Sequence, residues 1–240
     1  MTTQQPATVT FDFWNTIAHE PPGLLRRLRF AAVRSACERL GMELEDDALR
    51  GHLAAAGALH ELAWTGGRIF VPREAADHLA AAVGSSLPAE GRAELTTAFL
   101  NGCADADLEL APDIGETLEA LKVAGARLAI VCDVGLTPSE ILRGFLARHG
   151  LLGHFDAWAF SDEIGAYKPA AAIFHAALGG TDPRRAAHVG DLRRTDVAGA
   201  AALGMTTVRY RGLVDDPGDG PEADHVVDDH RLIPELLGLA

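Results

Sequence analysis

At 240 residues the chain is long enough for one domain carrying an insertion or for two modest domains, and length alone leaves both open. With 21 Lys+Arg against 34 Asp+Glu, the formal net charge of −13 argues against a nucleic-acid backbone or an anionic membrane as principal partner, while leaving room for a local basic pocket for a small anion. Cys37, Cys103 and Cys132 show no CxxC spacing and form no disulfide framework, Met1 to Thr10 lack the basic start and apolar run of a leader, and no apolar run is long enough to span a bilayer. A reducing, cytoplasmic location is the expectation.

In chain order, Ala7 to Phe13 (ATVTFDF) reads as a strand ending in a polar turn. From Ala18 to about Ala106 no such pattern recurs, and helices are expected near 22–41, 45–62, 72–84 and 89–101. In the first of these, Leu25, Leu28, Ala32, Ala36 and Leu40 keep a spacing of three or four and Gly41 offers a stop. This stretch is expected to be an all-helical insertion, bordered by Pro21-Pro22 and by the small, polar run Gly102 to Asp107, both suited to movement as a unit.

Beyond it, strands are expected at Arg127 to Cys132, Asp156 to Phe160, Ala186 to Val189, Thr206 to Tyr210 and His225 to Val227. Helical stripes alternate with them: Ile114, Leu118 and Leu121; Ile141, Leu142 and Phe145; Ile173, Phe174 and Ala177. Thr137 is a candidate N-cap, with Pro138 at N1, Glu140 completing a capping box and Gly150 as the stop. Residues 216–221 (DPGDGP) read as a surface turn. This alternation predicts an α/β fold with a mostly parallel sheet covered on both faces, the core spanning 1–18 and 107–240 and a helical domain occupying 19–106.

Ligands collect at the carboxyl ends of such strands, and those ends carry Asp12, Asp133, Ser161 and Asp191, with Asp196 in the first turn of the next helix. Carboxylates brought together repel one another unless a cation compensates, and hard oxygen donors suit Mg²⁺; capping a helix or closing a turn is the alternative for each one alone.

Four segments in order, FDFWNT (Phe11 to Thr16), the apolar strand running into Cys132-Asp133, GAYKP (Gly165 to Pro169) and GDLRRTD (Gly190 to Asp196), resemble the haloacid dehalogenase-like (HAD) superfamily. The resemblance covers essentially the whole chain and implies a three-layer Rossmann-like core with an inserted helical cap. It further implies that Asp12 is a nucleophile forming a covalent aspartyl intermediate and that Lys168 stabilises it. Mg²⁺ would be held by Asp12, Asp191, the Trp14 carbonyl and, directly or through water, Asp196. A carboxylate attacking a phosphoryl group needs charge neutralisation, which one metal and one ammonium supply.

Two residues depart from the phosphatase pattern. The position two beyond the nucleophile, where phosphatases of this superfamily carry a second Asp as general acid and base, is Trp14, whose indole cannot exchange protons near neutral pH. Trp14 is read either as a packing wall or as a selectivity element. Cys132 stands where a phosphoryl-binding Ser or Thr is usual, and reads as a weak donor to substrate or as core. Asp133 is a candidate to replace the missing acid/base, against an ordinary turn carboxylate.

Superfamily 2-haloacid dehalogenases also lack the second Asp and work without metal, but GD at 190–191 followed by Asp196 resembles the metal-binding form. Segment 19–107 contains no Lys, which argues against a Schiff-base mechanism of the phosphonoacetaldehyde hydrolase type. In the helical stretch His60 and Trp64, one turn apart, are candidates for substrate contact. Arg193 either recognises an anionic group or pairs with Asp12, Asp191 or Asp196. The expectation is a Mg²⁺-dependent hydrolase of a small phosphorylated or otherwise anionic metabolite; a metal-independent dehalogenase-like hydrolase and a weakened binding or regulatory protein are the alternatives.

Overall fold

The computed structural model describes residues 5–240, so the first four residues of the leader reading and of the predicted core lie outside the described residues. The chain divides into two compact units: one of residues up to His19, Leu108–Asp133 and Ala147–Ala240, the other of Glu20–Asp107 and Val134–Leu146.

The first unit is built on the strands β1 (Thr8–Phe11), β2 (Ala18–His19), β3 (Glu109–Leu110), β4 (Arg127–Cys132), β5 (Ala157–Phe160), β6 (Ala186–Gly190), β7 (Thr206–Tyr210) and β8 (His225–Val227). Six of them form one sheet in the order β5-β4-β1-β6-β7-β8, every pair parallel, with Thr8–Phe11 paired to Arg127–Ile130 on one side and to Ala186–Val189 on the other. A central strand covered on both faces must be apolar throughout or satisfy its polar groups internally. β1 does both: Val9 and Phe11 are fully buried, while Thr8 and Thr10 bond the Thr181 hydroxyl at 2.9 Å and His188 Nδ1 at 2.8 Å.

Helix α5 (Ile114–Val123) buries the predicted stripe Ile114, Leu118 and Leu121. Ile173, Phe174 and Ala177 of α8 (Ala171–Leu178), which follows the single-turn α7 (Ser161–Ile164), pack with Ala129, Val131 and Ala200 in one buried cluster. The remaining short helices of the unit are α9 (Ala198–Ala202) and α10 (Ile233–Leu236).

The second unit holds α1 (Leu24–Arg39), α2 (Asp46–Thr65), α3 (Pro72–Val83) and α4 (Ala89–Asn101), each close to its expected bounds because the apolar stripes repeat at helical spacing. Leu25, Val33, Ala36 and Cys37 of α1, Ala76 and Leu79 of α3, and Leu95 and Phe99 of α4 supply its core. No helix of the described residues is long and apolar enough to cross a membrane.

Three details differ from the sequence reading. Ala18–His19 pairs with Glu109–Leu110 as a two-residue antiparallel ribbon, too short to leave an alternation pattern. Helix α6 starts at Ser139 and runs to Arg148, later than a Thr137 cap implies, with Thr137 in a turn closed by its own N–H onto the Val134 carbonyl at 3.2 Å. Residues 134–146 group with the helical unit rather than with the strand they follow.

Candidate active site

Asp12, one residue past β1, is 4% exposed, and its backbone N–H still donates to the Val189 carbonyl at 2.8 Å, so the sheet ladder fixes the residue at the strand end. Lys168 Nζ donates to Asp12 Oδ1 and to Asp196 Oδ1, both at 2.6 Å, with all three side chains buried. Asp196 lies in a single turn of π-helix, Arg193–Val197, directly after β6.

A second pair of contacts holds Asp196. His188 Nε2 lies 3.0 Å from Asp196 Oδ1, and the Leu192 N–H donates to Oδ2 at 3.0 Å. With an ionised carboxylate as acceptor, His188 carries its proton on Nε2, and Nδ1 accepts from the Thr10 hydroxyl at 2.8 Å. Burial lowers the His188 pKa, so the ring is neutral and acts as an orienting donor. Gly190 makes room for this arrangement: a Cβ there would stand 2.4 Å from Asp196 Cγ.

One oxygen each of Asp12, Asp191 and Asp196 lie within 4.8 Å of one another. Burial, reinforced by the charge of Asp196, pushes Asp191 up to about 7, although Asn15 Nδ2 donates to its Oδ2 at 3.2 Å. Burial likewise raises Asp12, with Lys168 opposing and Asp196 and Asp191 adding to the rise. Burial would lower Lys168, but Asp12, Asp196 and Asp133 outweigh it and keep the ammonium protonated. Asp196 goes the other way: Lys168 and His188 overcome its burial and hold it well below the carboxylate range. One ammonium thus faces more carboxyl groups than it can neutralise, and Asp12 and Asp191 carry the excess negative charge.

Such a donor set fits a hard divalent cation such as Mg²⁺, which would relieve that excess. Asp12 and Asp191 are the carboxylates best placed to hold it. Asp196 completes this set, and because its oxygens also accept from Lys168 Nζ, His188 Nε2 and the Leu192 N–H it orients Lys168 as well.

Asp133, one residue past β4, accepts the Lys168 backbone N–H through Oδ1 at 3.1 Å, and burial pushes it up to about 6 despite the nearby ammonium. That places its titration where a group can both give and take a proton near neutrality. Cys132 is fully buried, and its thiol is pushed well up by burial and then by the charge of Asp12, so it stays a neutral core group. Trp14 is half-buried with its ring edge-on to Phe13, centroids 5.0 Å apart, and its backbone bridges to Ala18.

Arg193 is held elsewhere. Its guanidinium pairs with Glu222 at 3.1 Å and donates to the Asp216 carbonyl, so its partner is none of the three site carboxylates. The charge pattern of GDLRRTD gave no hint of a carboxylate 29 residues away. His60 and Trp64 lie on α2 in the helical unit, His60 edge-on to Phe70 with centroids 5.5 Å apart and its pKa lowered by burial.

Sequence reasoning missed Asn15, His188 and Thr10. A lone His in the apolar strand AAHVG, two residues before Gly190, was the available signal for the second, and Thr10 lies opposite it in the sheet register.

A family model described as haloacid dehalogenase-like hydrolase matches residues 6–204. The chain is 30% identical over 229 residues to ribulose-1,5-bisphosphate 5-phosphatase of Halopiger xanaduensis, covering 92% of this chain and 89% of that protein. It is similar to the crystal structure of a HAD phosphatase from Thermococcus onnurineus, with a TM-score of 0.65, 26% identity, and 96% and 97% of the two chains covered. A 2-haloacid dehalogenase from Pseudomonas syringae pv. Tomato DC3000 shares the fold, with a TM-score of 0.73 at 21% identity and 97% and 98% covered.

Proposed function

We propose, from the premise that this chain belongs to the haloacid dehalogenase-like hydrolase family, that it is a Mg²⁺-dependent hydrolase of a small phosphorylated metabolite, working through a covalent intermediate on Asp12. The observation that carries this reading is the buried relay Asp12–Lys168–Asp196 with Asp191 beside it. The relative named for ribulose-1,5-bisphosphate supports a phosphate ester as the substrate class.

A free Asp12 oxygen attacks phosphorus as the bond to the leaving oxygen breaks, giving an aspartyl phosphate. Water then breaks that P–O bond, releasing phosphate and regenerating the carboxylate. Lys168 holds the nucleophile in line and neutralises part of the phosphoryl charge, and Asp196 with His188 keeps the ammonium aimed. Bound Mg²⁺, with Asp12, Asp191 and the Trp14 carbonyl as its ligands, would supply Lewis-acid neutralisation of the phosphoryl oxygens. Asp133 takes over part of the proton transfer to the leaving oxygen and from water, the work Trp14 cannot do, so a second carboxylate at position 14 still adds rate. The helical unit acts as a substrate-selecting cap, with His60 and Trp64 as its contact residues.

The test is pre-steady-state and steady-state kinetics with an activated aryl phosphate, with and without Mg²⁺, on the parent and on Trp14→Asp. We expect a Mg²⁺-dependent burst in the parent, poor turnover of unactivated sugar phosphates, and faster steady-state turnover in the variant. A folded, Mg²⁺-binding Trp14→Asp protein as inactive as its parent sinks the phosphatase reading. Halide release from 2-haloacids indifferent to chelator would select the dehalogenase-like alternative.

A further inference from the structure

The helical unit contains a cavity of about 820 Å³ whose wall includes four arginines, Arg26, Arg27, Arg29 and Arg50, in a chain of net charge −13. Elsewhere in the unit, Arg34, Arg39, Arg68 and Arg73 each meet a carboxylate within 4.0 Å. Among the described residues none of the four cavity arginines does. Arg29 is the unusual one, being 6% exposed. Its Nε and Nη2 donate only to the Phe99 and Leu136 carbonyls, at 3.4 and 3.2 Å, and its guanidinium lies 4.9 Å from the Phe99 ring centroid.

Buried cations are ordinarily matched by an anion, and the Arg29 pKa is accordingly lowered by burial. Neutral carbonyls and a ring face satisfy part of its donor fork, and the Glu20 carboxylate, beyond ion-pair distance, offsets only part of its charge. Two of the other arginines add to the imbalance. Arg26 and Arg27 occupy the first turn of the 16-residue α1, where Glu20 accepts the Leu25 N–H at 2.9 Å and Arg27 donates to the Pro22 carbonyl at 2.7 Å, so one carboxylate stands against two guanidinium charges and the positive end of the helix dipole. Arg50 stacks over the Phe30 ring at 4.1 Å, which sets its cation beside an aromatic wall.

We propose that this cavity is an anion-binding site for a phosphate monoester with an apolar organic body: the phosphate is held by Arg29 at the base and by Arg26, Arg27 and Arg50 at the mouth, and the body lies against Phe30, Phe99 and Leu136. Several convergent cations favour a dianion over a monocarboxylate. The phosphate could belong to the substrate or to a separate effector; the chemistry is the same, and the site is independent of which bond the enzyme breaks.

Calorimetric titration of the full chain with phenylphosphonate, a non-hydrolysable probe with an apolar ring, tests this. Arg26 and Arg50 are exposed, so Arg50→Gln and Arg26→Gln should leave the fold intact, as far-UV circular dichroism would verify. Each is expected to weaken binding at least about tenfold, the loss of one charge-assisted hydrogen bond. Lys168→Gln assigns the source. Binding that needs the arginines but not Lys168 identifies a separate effector, and a single site needing both identifies the substrate. Affinity lost in Lys168→Gln and unchanged in both arginine variants would place the probe on the carboxylate–lysine cluster alone and overturn the proposal. No binding to the parent at millimolar probe would overturn it as well. Because arginine-dependent binding needs no turnover, it survives a failure of the phosphatase reading and can be told apart from it.

Discussion

Replacing Asp133 by Asn separates proton transfer from architecture. The amide keeps an oxygen to accept the Lys168 N–H, now bonded at 3.1 Å, so the strand end should hold its shape while losing its titration. Burial raises the carboxyl from 3.8 to about 6, a displacement equivalent to about 3 kcal/mol. A raised folded pKa favours the folded state below the unfolded value near 4, and that contribution disappears as pH rises through 6. At pH 8 the parent therefore carries a charge penalty of up to about 3 kcal/mol that the Asn form lacks; at pH 4 the two should converge. Activity should move the opposite way. The protonated fraction of Asp133 is about one in ten at pH 7 and about one in a hundred at pH 8, so a rate limited by leaving-group protonation should fall roughly tenfold per pH unit above 6 in the parent. In the variant that limb should vanish with a loss of about 10²–10⁴ in turnover. Urea unfolding at pH 4.5 and 8, beside kcat profiles from pH 5 to 9 with an alkyl phosphate, measures both. A loss below about tenfold, or a limb near pH 6 persisting in Asp133→Asn, would refute the assignment of Asp133 as acid/base.

Asp191→Asn should abolish most Mg²⁺ affinity, since Asp191 and Asp12 carry the uncompensated charge; calorimetry showing unchanged affinity would move the metal elsewhere. The acid limb of stability should report His230, which is fully buried and stacked on Tyr210 with centroids 3.8 Å apart. Its Nε2 donates to the Thr16 carbonyl at 2.8 Å, and its Nδ1 is buried with no partner. Burial lowers its pKa from 6.5 to about 4, so the neutral ring's contribution is intact above 6.5 and is lost as pH falls toward 4, about 3 kcal/mol in all. Chemical denaturation of His230→Phe should show a shallower loss between those pH values than the parent, and an equally steep loss would exclude His230 as the cause.

The strands were legible because sheet centres leave long apolar runs: RLAIVC and TTVRY begin and end where the sequence places them. So were the four long helices, whose stripes persist over several turns. Contacts made by residues distant in sequence were not. Arg193 finds Glu222, Asn15 reaches Asp191 across 176 positions, and Arg29 sits in a helix whose stripe reads as ordinary core. In each case the partner is fixed by tertiary placement, which local periodicity does not encode. Asp12, Lys168, Asp191 and Asp196 could be placed together because motif order ties their segments to one edge of the sheet, whereas the donors that hold Asp196, namely Lys168, His188 and the Leu192 N–H, became visible only in the folded chain.

The position of β1 at the middle of the sheet has a consequence for synthesis. Its neighbours on the two sides are β4 and β6, and Asp12 is gripped by Lys168. The strand made first therefore waits for its second neighbour until the sixth has been made. At roughly 5–20 residues per second, on the order of 10–35 s separate translation of Phe11 from that of its partner Val189. Throughout that interval one hydrogen-bonding edge of TVTF has no native strand to meet, and Asp12 waits for the Lys168 ammonium, 156 residues further along the chain.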